Sequence, residues 1–247
     1  MKETGDEICF KKSRYIIYQP YRGLHLAYHA RRLLFSGQSK FQKIDIIDND
    51  AYGRMLLLDN NVQHTEYDSW IFNEALCGHA RRSGLTRILI LGGGSGQTVM
   101  SLLGSNRIQQ VTVVEIDKLV VETCKRYIRG VGEAFDDPRV RVVIGDAFKF
   151  VRLTGEQFDG AIIDLTEFPF RTKSSAQQLG GLYEGIKTKC QGRCSQYIGS
   201  SVGLSYGPKL RKLAENLSRG IFTRATFEEV FIPSFGAPHV FMHAGYG

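Results

Sequence analysis

Four short apolar runs between Arg87 and Asp164 each end in a glycine cluster or a carboxylate. The first run leads directly into the glycine-rich turn Gly92–Gly96, where a ligand can approach backbone that side chains would otherwise cover. Runs of this length, separated by helix-like segments, predict the strands of an open parallel sheet. The pattern therefore restricts this part of the chain to an α/β fold whose strand ends and glycine turn share one edge.

Three acids, Glu115, Asp146 and Asp164, follow the second, third and fourth predicted strands. Because the carboxyl ends of parallel strands open into one crevice, we expect these carboxylates to converge. A carboxylate about twenty residues beyond a glycine turn can accept hydrogen bonds from ribose hydroxyls. No Lys-Ser/Thr pair follows the glycines, which disfavours a phosphate-binding P-loop. A dinucleotide enzyme and a set of solvated loop acids remain open alternatives. The predicted strands are Arg87–Leu91, Val111–Val114, Val140–Ile144 and Phe158–Ile163.

Several segments, in order and spread from about Tyr28 to Ala244, resemble the spermidine synthase family of aminopropyltransferases. That family moves an aminopropyl group from decarboxylated S-adenosylmethionine to an amine and releases methylthioadenosine. The segments that carry the resemblance are Gln38–Ile44, Leu58–Gln63, Thr65–Glu66, Gly92–Gly96, Val114–Asp117, Asp136–Val140, Gly145–Ala147 and Asp164.

The resemblance implies roles for Gln42, Gln63, Glu115, Asp146 and Asp164, and we expect no metal site. Asp164 matches the aspartate that takes the proton from the attacking amine, and Asp146 with Ala147 should contact adenine. The implied donor site comprises Gln42, Gln63, Gly92, Gly93, Gly94, Ser95, Gly96, Glu115, Asp146 and Ala147. The predicted acceptor site comprises Phe72, Glu167, Arg171 and Phe235, and Arg171 is included because it follows Asp164 closely in the chain.

The chain departs from the family pattern at the donor amine and along the acceptor path. Ser95 stands where the family has an aspartate that grips the amine of the decarboxylated donor. A hydroxyl tolerates the α-carboxylate of intact S-adenosylmethionine better than a carboxylate does, so Ser95 favours the intact donor and transfer of an aminocarboxypropyl group. Phe72 and Phe235 replace two family tyrosines, and the net charge is +7. With Arg171 and Lys173 after Asp164, these changes favour an acceptor that carries phosphate or carboxylate.

The chain divides into an N-terminal β-rich domain with a connecting helix, residues 1–82, and a Rossmann-like nucleoside-binding catalytic domain, residues 83–247. Two strand-like runs and the turn residues Asp59–Asn61 indicate the first domain, and Asp68–Ala80 is the helix. The alternation that follows predicts a doubly wound sheet of the kind found in S-adenosylmethionine-dependent transferases. Phe227–Ala244 should close it as an antiparallel hairpin.

Composition places the chain among ordinary enzymes. With 247 residues, 43% of them hydrophobic, it can bury one good core and a smaller annex. Its five cysteines are odd in number and lack C-x-x-C spacing, which favours reduced thiols in a cytoplasmic protein. Apolar runs of four or five residues are too short to span a membrane. The family resemblance also implies that the protein forms a homodimer or a homotetramer.

Several other functions stay open. The nucleoside pocket equally suits an S-adenosylmethionine-dependent methyltransferase, because only the orientation of the sulfonium decides which carbon reacts. A true polyamine synthase that uses putrescine and a catalytically inactive oligomerisation module are further alternatives. Stable nucleic-acid binding is disfavoured, because the basic charge and N-terminal tyrosines come with no recognised reading motif.

Overall fold

Two antiparallel sheets form the N-terminal part of the molecule. The computed structural model describes residues 7–10, 13–21, 24–165, 173–202 and 207–246. One sheet has the order β1-β2-β3 and the other β4-β5-β6-β7. The strands are β1 (Glu7–Phe10), β2 (Ser13–Tyr21), β3 (Leu24–Ala30), β4 (Arg32–Gln38), β5 (Lys43–Asn49), β6 (Gly53–Leu58) and β7 (Asn61–Thr65).

A two-residue turn joins β6 to β7. Asp59 and Asn60 have φ values of 47° and 62°, and Leu58 pairs with Asn61 across the turn. Asp and Asn tolerate this left-handed conformation, which matches the twist of a tight hairpin. The predicted turn is thus confirmed, and Gln63 follows it in β7.

A seven-stranded sheet carries the rest of the chain, in the order β10-β9-β8-β11-β12-β14-β13. Five neighbouring strands, from β10 to β12, run parallel, and β13 and β14 add an antiparallel end. These strands are β8 (Arg87–Gly92), β9 (Gln110–Glu115), β10 (Val140–Ile144), β11 (Gly160–Asp164), β12 (Cys194–Ser200), β13 (Ala225–Ile232) and β14 (Ala237–Ala244). The predicted doubly wound α/β sheet and closing hairpin are confirmed.

Helices cover both faces of this sheet, because its central strands are apolar on both sides. Ile88 and Ile90 pack under α1 to α4, while Leu89 and Leu91 pack under α5 to α7. All four side chains are fully buried. The helices are α1 (Ser69–Arg82), α2 (Gln97–Leu103), α3 (Lys118–Tyr127), α4 (Val131–Phe135), α5 (Ala147–Leu153), α6 (Lys173–Lys189) and α7 (Gly207–Ile221).

The turn of the terminal hairpin joins the seven-stranded sheet to the N-terminal sheets. Residues Pro233–Phe235 form a short 3-10 helix between β13 and β14. The buried Asp68 carboxylate accepts hydrogen bonds from the Ser234 amide at 2.7 Å and from its hydroxyl at 2.8 Å. The Tyr28 hydroxyl donates to the carbonyl of Ser234. The division of the chain into two domains between residues 82 and 83 stays a prediction.

Two predicted boundaries are shifted by local hydrogen bonding. The strand predicted from Phe158 begins at Gly160, because the Asp159 side chain accepts from the amides of Thr86 and Arg87 and ends the loop there. The connecting helix begins at Ser69 and continues to Arg82. Within the described ranges, no helix combines the length and the apolar character needed to cross a bilayer.

Candidate active site

A cavity of about 330 Å³ opens at the carboxyl ends of β8, β9, β10 and β11. This is the point where the strand order reverses between β8 and β11, the usual ligand position in open α/β sheets. Gln42 and Gln63 reach it from the N-terminal unit. The cavity is lined by Phe41, Gln42, Leu58, Asp59, Gln63, Gly92, Val114, Glu115, Ile116, Gly145, Asp146, Ala147, Phe148, Asp164 and Leu165.

Backbone geometry explains the glycines at the start of the turn. Gly92 has φ +84°, and a Cβ there would lie 2.1 Å from the carbonyl oxygen of Asp164 on the paired strand. A Cβ on Gly94 would lie 2.9 Å from the Glu115 Cγ atom. Any larger residue would therefore separate β8 from β11 or displace the Glu115 carboxylate.

Glu115 holds the glycine turn and lines the cavity at the same time. Its carboxylate accepts from the Gly94 amide at 3.0 Å and from the Asp117 amide at 2.9 Å. Burial raises the pKa of Glu115, and these backbone donors offset part of that rise. The side chain is thus held rigidly, with its remaining lone pairs available to a ligand.

Asp164 ends β11 at the floor of the cavity. Its carboxylate accepts from the buried Thr98 hydroxyl at 3.2 Å. Burial raises the pKa of Asp164 to about 6, the Thr98 bond lowers it and the nearby Glu115 charge raises it. A carboxyl group with this pKa is ionised at neutral pH and can still take up a proton, as a general base must.

Asp146 and Gln42, two further predicted donor residues, also line the cavity. Asp146 is exposed and caps α5 by accepting from the Lys149 amide at 2.9 Å. Gln42 donates to the Asp117 carboxylate at 3.1 Å, which links the N-terminal unit to the loop after β9. Glu115, Asp146 and Asp164 therefore share one cavity, as the sequence predicts.

The cavity wall is strongly acidic. Four of its residues are carboxylates, and none of the described residues that line it is Lys, Arg or His. A positively charged ligand gains favourable electrostatic energy in such a site, whereas an anion is repelled. The acidic residues are Asp59, Glu115, Asp146 and Asp164.

Neither Phe72 nor Phe235, the two predicted acceptor residues that the structure describes, lines the cavity. Phe72 packs in an aromatic cluster, with ring centroids 6.0 Å from Phe235 and 5.1 Å from Tyr197. Phe235 is 6% exposed. Glu167 and Arg171 lie outside the described residues, as does the side chain of Lys173. Of the glycine turn, only Gly92 lines the cavity itself, and Gly93, Gly94, Ser95 and Gly96 form the loop behind it.

Sequence reasoning assigned no role to Thr98 or Asp117. Thr98 lies in the second position of α2 and bonds Asp164 across 66 residues of chain, a contact that no local pattern reveals. Asp117 caps α3 and accepts from Ser39 at 2.6 Å as well as from Gln42. Its position directly before an apolar helical run was a readable N-cap signal.

Comparisons with known proteins agree with this geometry. Residues 64–237 match the spermine/spermidine synthase domain, and residues 15–66 match the spermidine synthase tetramerisation domain. A polyamine aminopropyltransferase of Alkaliphilus oremlandii is 31% identical over 218 residues, which are 83% of this chain and 73% of that protein. Polyamine aminopropyltransferase 1 of Hyperthermus butylicus is 38% identical over 167 residues, 65% of this chain and 57% of that protein. A spermidine synthase solved with the transition-state analogue AdoDATO superposes with a TM-score of 0.85 at 25% identity, covering 100% of this chain and 85% of that one.

Proposed function

The chain belongs to the spermidine synthase family of aminopropyltransferases, and we propose that it transfers an aminopropyl group from decarboxylated S-adenosylmethionine to an amine, with release of methylthioadenosine. The observation that carries the proposal is the acidic cavity at the strand ends, with four carboxylates and no basic residue among the described residues that line it. The decarboxylated donor carries a sulfonium and an ammonium group and no carboxylate. Its charge therefore complements this wall.

The donor's adenosyl part has matching partners around the cavity. Glu115 accepts hydrogen bonds from the ribose hydroxyls, as a carboxylate at this strand end does in nucleoside-binding sheets. Asp146 and Ala147 contact adenine, with the carboxylate accepting from its exocyclic amine. Gln42 and Gln63 close the donor from the N-terminal side.

Transfer of the aminopropyl group needs a neutral amine placed in line with the carbon–sulfur bond of the donor. The amine nitrogen attacks the carbon next to the sulfonium, the carbon–sulfur bond breaks, and its electron pair stays on sulfur as neutral methylthioadenosine. The proton lost by the amine passes to the ionised Asp164 carboxylate and then to solvent. The protein thus contributes positioning and proton removal.

Ser95 favours a second candidate, in which intact S-adenosylmethionine donates an aminocarboxypropyl group. Ser95 is partly exposed in the loop beside the cavity, where the family has an aspartate. Intact donor would bring a carboxylate to this loop, which a hydroxyl accepts without charge repulsion. An acceptor bearing phosphate or carboxylate belongs to this candidate, and its support is the net charge of +7 together with Arg171.

Product analysis distinguishes the candidates. Purified protein is incubated with each donor and with putrescine or another diamine, and the nucleoside product is identified by mass spectrometry. Methylthioadenosine from the decarboxylated donor and an amine supports the proposal. Methylthioadenosine only from intact S-adenosylmethionine supports the second candidate, and S-adenosylhomocysteine would establish methyl transfer and refute both.

The Ser95→Asp variant tests how strongly residue 95 determines whether the protein uses the decarboxylated or the intact donor. Restoring the family acid should raise kcat/KM for the decarboxylated donor relative to the intact one, because it adds a partner for the donor ammonium. Ser105→Asp, in the loop after α2, is the matched control. An unchanged ratio would remove Ser95 from donor selection.

We further propose that the protein acts as a homo-oligomer built through its N-terminal sheets. The match of residues 15–66 to a tetramerisation domain supports this assembly. Sedimentation equilibrium checks it, and a monomer at micromolar concentration would contradict it.

A further inference from the structure

Three side chains able to bind a metal meet at the antiparallel end of the seven-stranded sheet. His79 comes from α1, Glu228 from β13 and His243 from β14, and their potential ligand atoms all lie within 4.8 Å of one another. Among the residues that the structure describes, no other group of three or more His, Cys, Asp or Glu side chains converges in this way. None of the three lines the active-site cavity.

This cluster lies on the α1 face of the sheet, two strands away from Asp164. In the register of the sheet, Ser195 of β12 pairs with His243 on one side and with Ile162 of β11 on the other. The neighbours of His243 in β14, Met242 and Ala244, pack on the opposite face. His243 therefore points toward α1, where its ring stacks on that of His79 with centroids 4.1 Å apart.

The hydrogen bonds of His243 prepare it as a ligand. Its Nδ1 lies 2.9 Å from the Ser195 hydroxyl, and its Nε2 lies 3.1 Å from the Glu228 carboxylate. When Nδ1–H donates to Ser195, the Nε2 lone pair faces a carboxylate oxygen, and a cation between them satisfies both atoms. A metal-binding histidine usually donates its other ring N–H to an oxygen atom, and the Ser195 hydroxyl is placed to accept that hydrogen bond.

The spacing and protonation states fit a small divalent ion. Two ligands bound at about 2.0 to 2.1 Å in tetrahedral geometry are separated by about 3.3 Å, close to the observed nitrogen–oxygen distance of 3.1 Å. Burial lowers the pKa of His243 to about 4, with the neighbouring His79 adding to the effect. Burial and Arg82 lower the pKa of His79, while Glu228 raises it. Neutral imidazole is the form that binds metal.

We propose that His79, Glu228 and His243 bind one zinc-type divalent transition metal, with water in the remaining coordination position. This set departs from the sequence expectation of no metal and is independent of the proposed transferase reaction. Two histidines and one glutamate are a set that zinc accepts. The His79 ring, which is half-buried and tilted by 26° to the His243 ring, turns about its Cβ–Cγ bond to present a nitrogen. The ion then joins α1 to the terminal hairpin.

Zinc binding to the full chain tests the site. Protein freed of metal with a chelator is dialysed against zinc chloride and the bound zinc is counted, and cobalt(II) is used to read coordination from its visible absorption. We expect one zinc per chain, tetrahedral cobalt bands and a melting temperature that rises with zinc. His79→Ala and Glu228→Gln should each weaken zinc binding by about 100-fold, because even the loss of a residue that only hydrogen-bonds a metal ligand lowers affinity by up to about 100-fold.

The control is His29→Ala, which removes another half-buried histidine placed beside a carboxylate, with Nδ1 3.5 Å from Asp50. It should keep one zinc and the wild-type affinity. Circular dichroism verifies that each variant is folded. Absence of stoichiometric zinc, or equal affinity in wild type and His79→Ala, would overturn the proposal. So would binding that survives His79→Ala and disappears in Cys190→Ser, because the ion would then sit on the buried thiols.

Discussion

Burial acts on titratable groups in opposite directions in the active-site cavity and at the antiparallel end of the sheet. In the cavity it raises the pKa of Glu115 and Asp164, whereas at the antiparallel end it lowers the pKa of His239 and His243 to about 4. Both effects favour the neutral form of the group. In the cavity, the Thr98 hydroxyl and backbone amides offset part of this effect by stabilising the ionised carboxylates, while the buried histidines remain neutral.

The largest expected effect comes from removing the base of the cavity. Asp164→Asn should lower kcat by about 10² to 10⁴ because the amide cannot take the amine proton, while the affinity for the uncharged nucleoside methylthioadenosine changes little. Steady-state kinetics and calorimetry measure the two quantities. Asp159→Asn is the matched control, since Asp159 precedes the same strand and bonds Thr86 and Arg87 outside the cavity. Equal kcat in Asp164→Asn and wild type would reject the assignment.

The same substitution should stabilise the fold at neutral pH. A group whose folded pKa is raised favours folding while it is protonated, and it loses that contribution as the pH rises through the folded value, here about 6. The rise from 3.8 corresponds to at most roughly 3 kcal/mol, less any screening by solvent. Asn cannot ionise, so denaturant unfolding at pH 8 should show a more stable variant. Lower stability at pH 8 would contradict the burial of the charge.

The second effect concerns donor binding. Glu115→Gln should weaken donor affinity by about 1.5 to 3 kcal/mol, the range for hydrogen bonds to a charged group, because it loses the ribose contact and loosens the Gly94 turn. Calorimetry with methylthioadenosine measures the loss. Glu133→Gln, an exposed position in α4, is the control and should bind as wild type does. No loss in Glu115→Gln would move the ribose contact elsewhere.

The sequence predicted the cavity residues but not the cluster at the antiparallel end. The cavity residues follow local sequence patterns, whereas the cluster is formed by contacts between distant parts of the chain. Glu115, Asp146 and Asp164 each follow a strand that the local sequence pattern predicts. The parallel arrangement of these strands then brings the three side chains to one cavity. His79, Glu228 and His243 carry no local motif, and only the register of β12, β13 and β14 makes them neighbours.

The predicted acceptor site shows a second limit of prediction from sequence. Phe72 and Phe235 were assigned to it by resemblance alone, and the structure packs both rings into one aromatic cluster. Thr98 was missed because the partner of its hydroxyl comes from a strand far along the chain. Tertiary hydrogen bonds of this kind tune a site whose position the sequence can predict.

A third effect concerns the pH dependence of stability and comes from a buried histidine in β7, outside both regions. Burial lowers the pKa of His64 to about 3, and neither of its ring nitrogens has a hydrogen-bond partner. Its lowered folded pKa means that stability falls as the pH drops below the unfolded value of 6.5, by up to about 1.4 kcal/mol per pH unit for each such histidine. His64→Leu should flatten the decline in unfolding free energy between pH 6 and pH 4. An unchanged slope would show that His64 does not carry this linkage.

The smallest expected effect is a change in the pKa of the Asp164 base. Thr98→Val removes the hydroxyl that lowers the pKa of Asp164, so the midpoint of the acid limb of the rate profile should move upward by up to about one pH unit, the scale of one hydrogen bond. Thr123→Val, a buried threonine in α3, is the matched control and should leave the midpoint unchanged. A midpoint that stays constant in Thr98→Val would remove Thr98 from the tuning of the base.

The central claim is that carboxylates from three strand ends bind one adenosyl sulfonium compound, and a crystal structure with decarboxylated S-adenosylmethionine tests it most directly. We predict the ribose hydroxyls on Glu115, the adenine amine on Asp146 and the carbon next to sulfur facing the Asp164 carboxylate. A donor bound outside the cavity, or bound in it with these carboxylates turned away, would contradict the account.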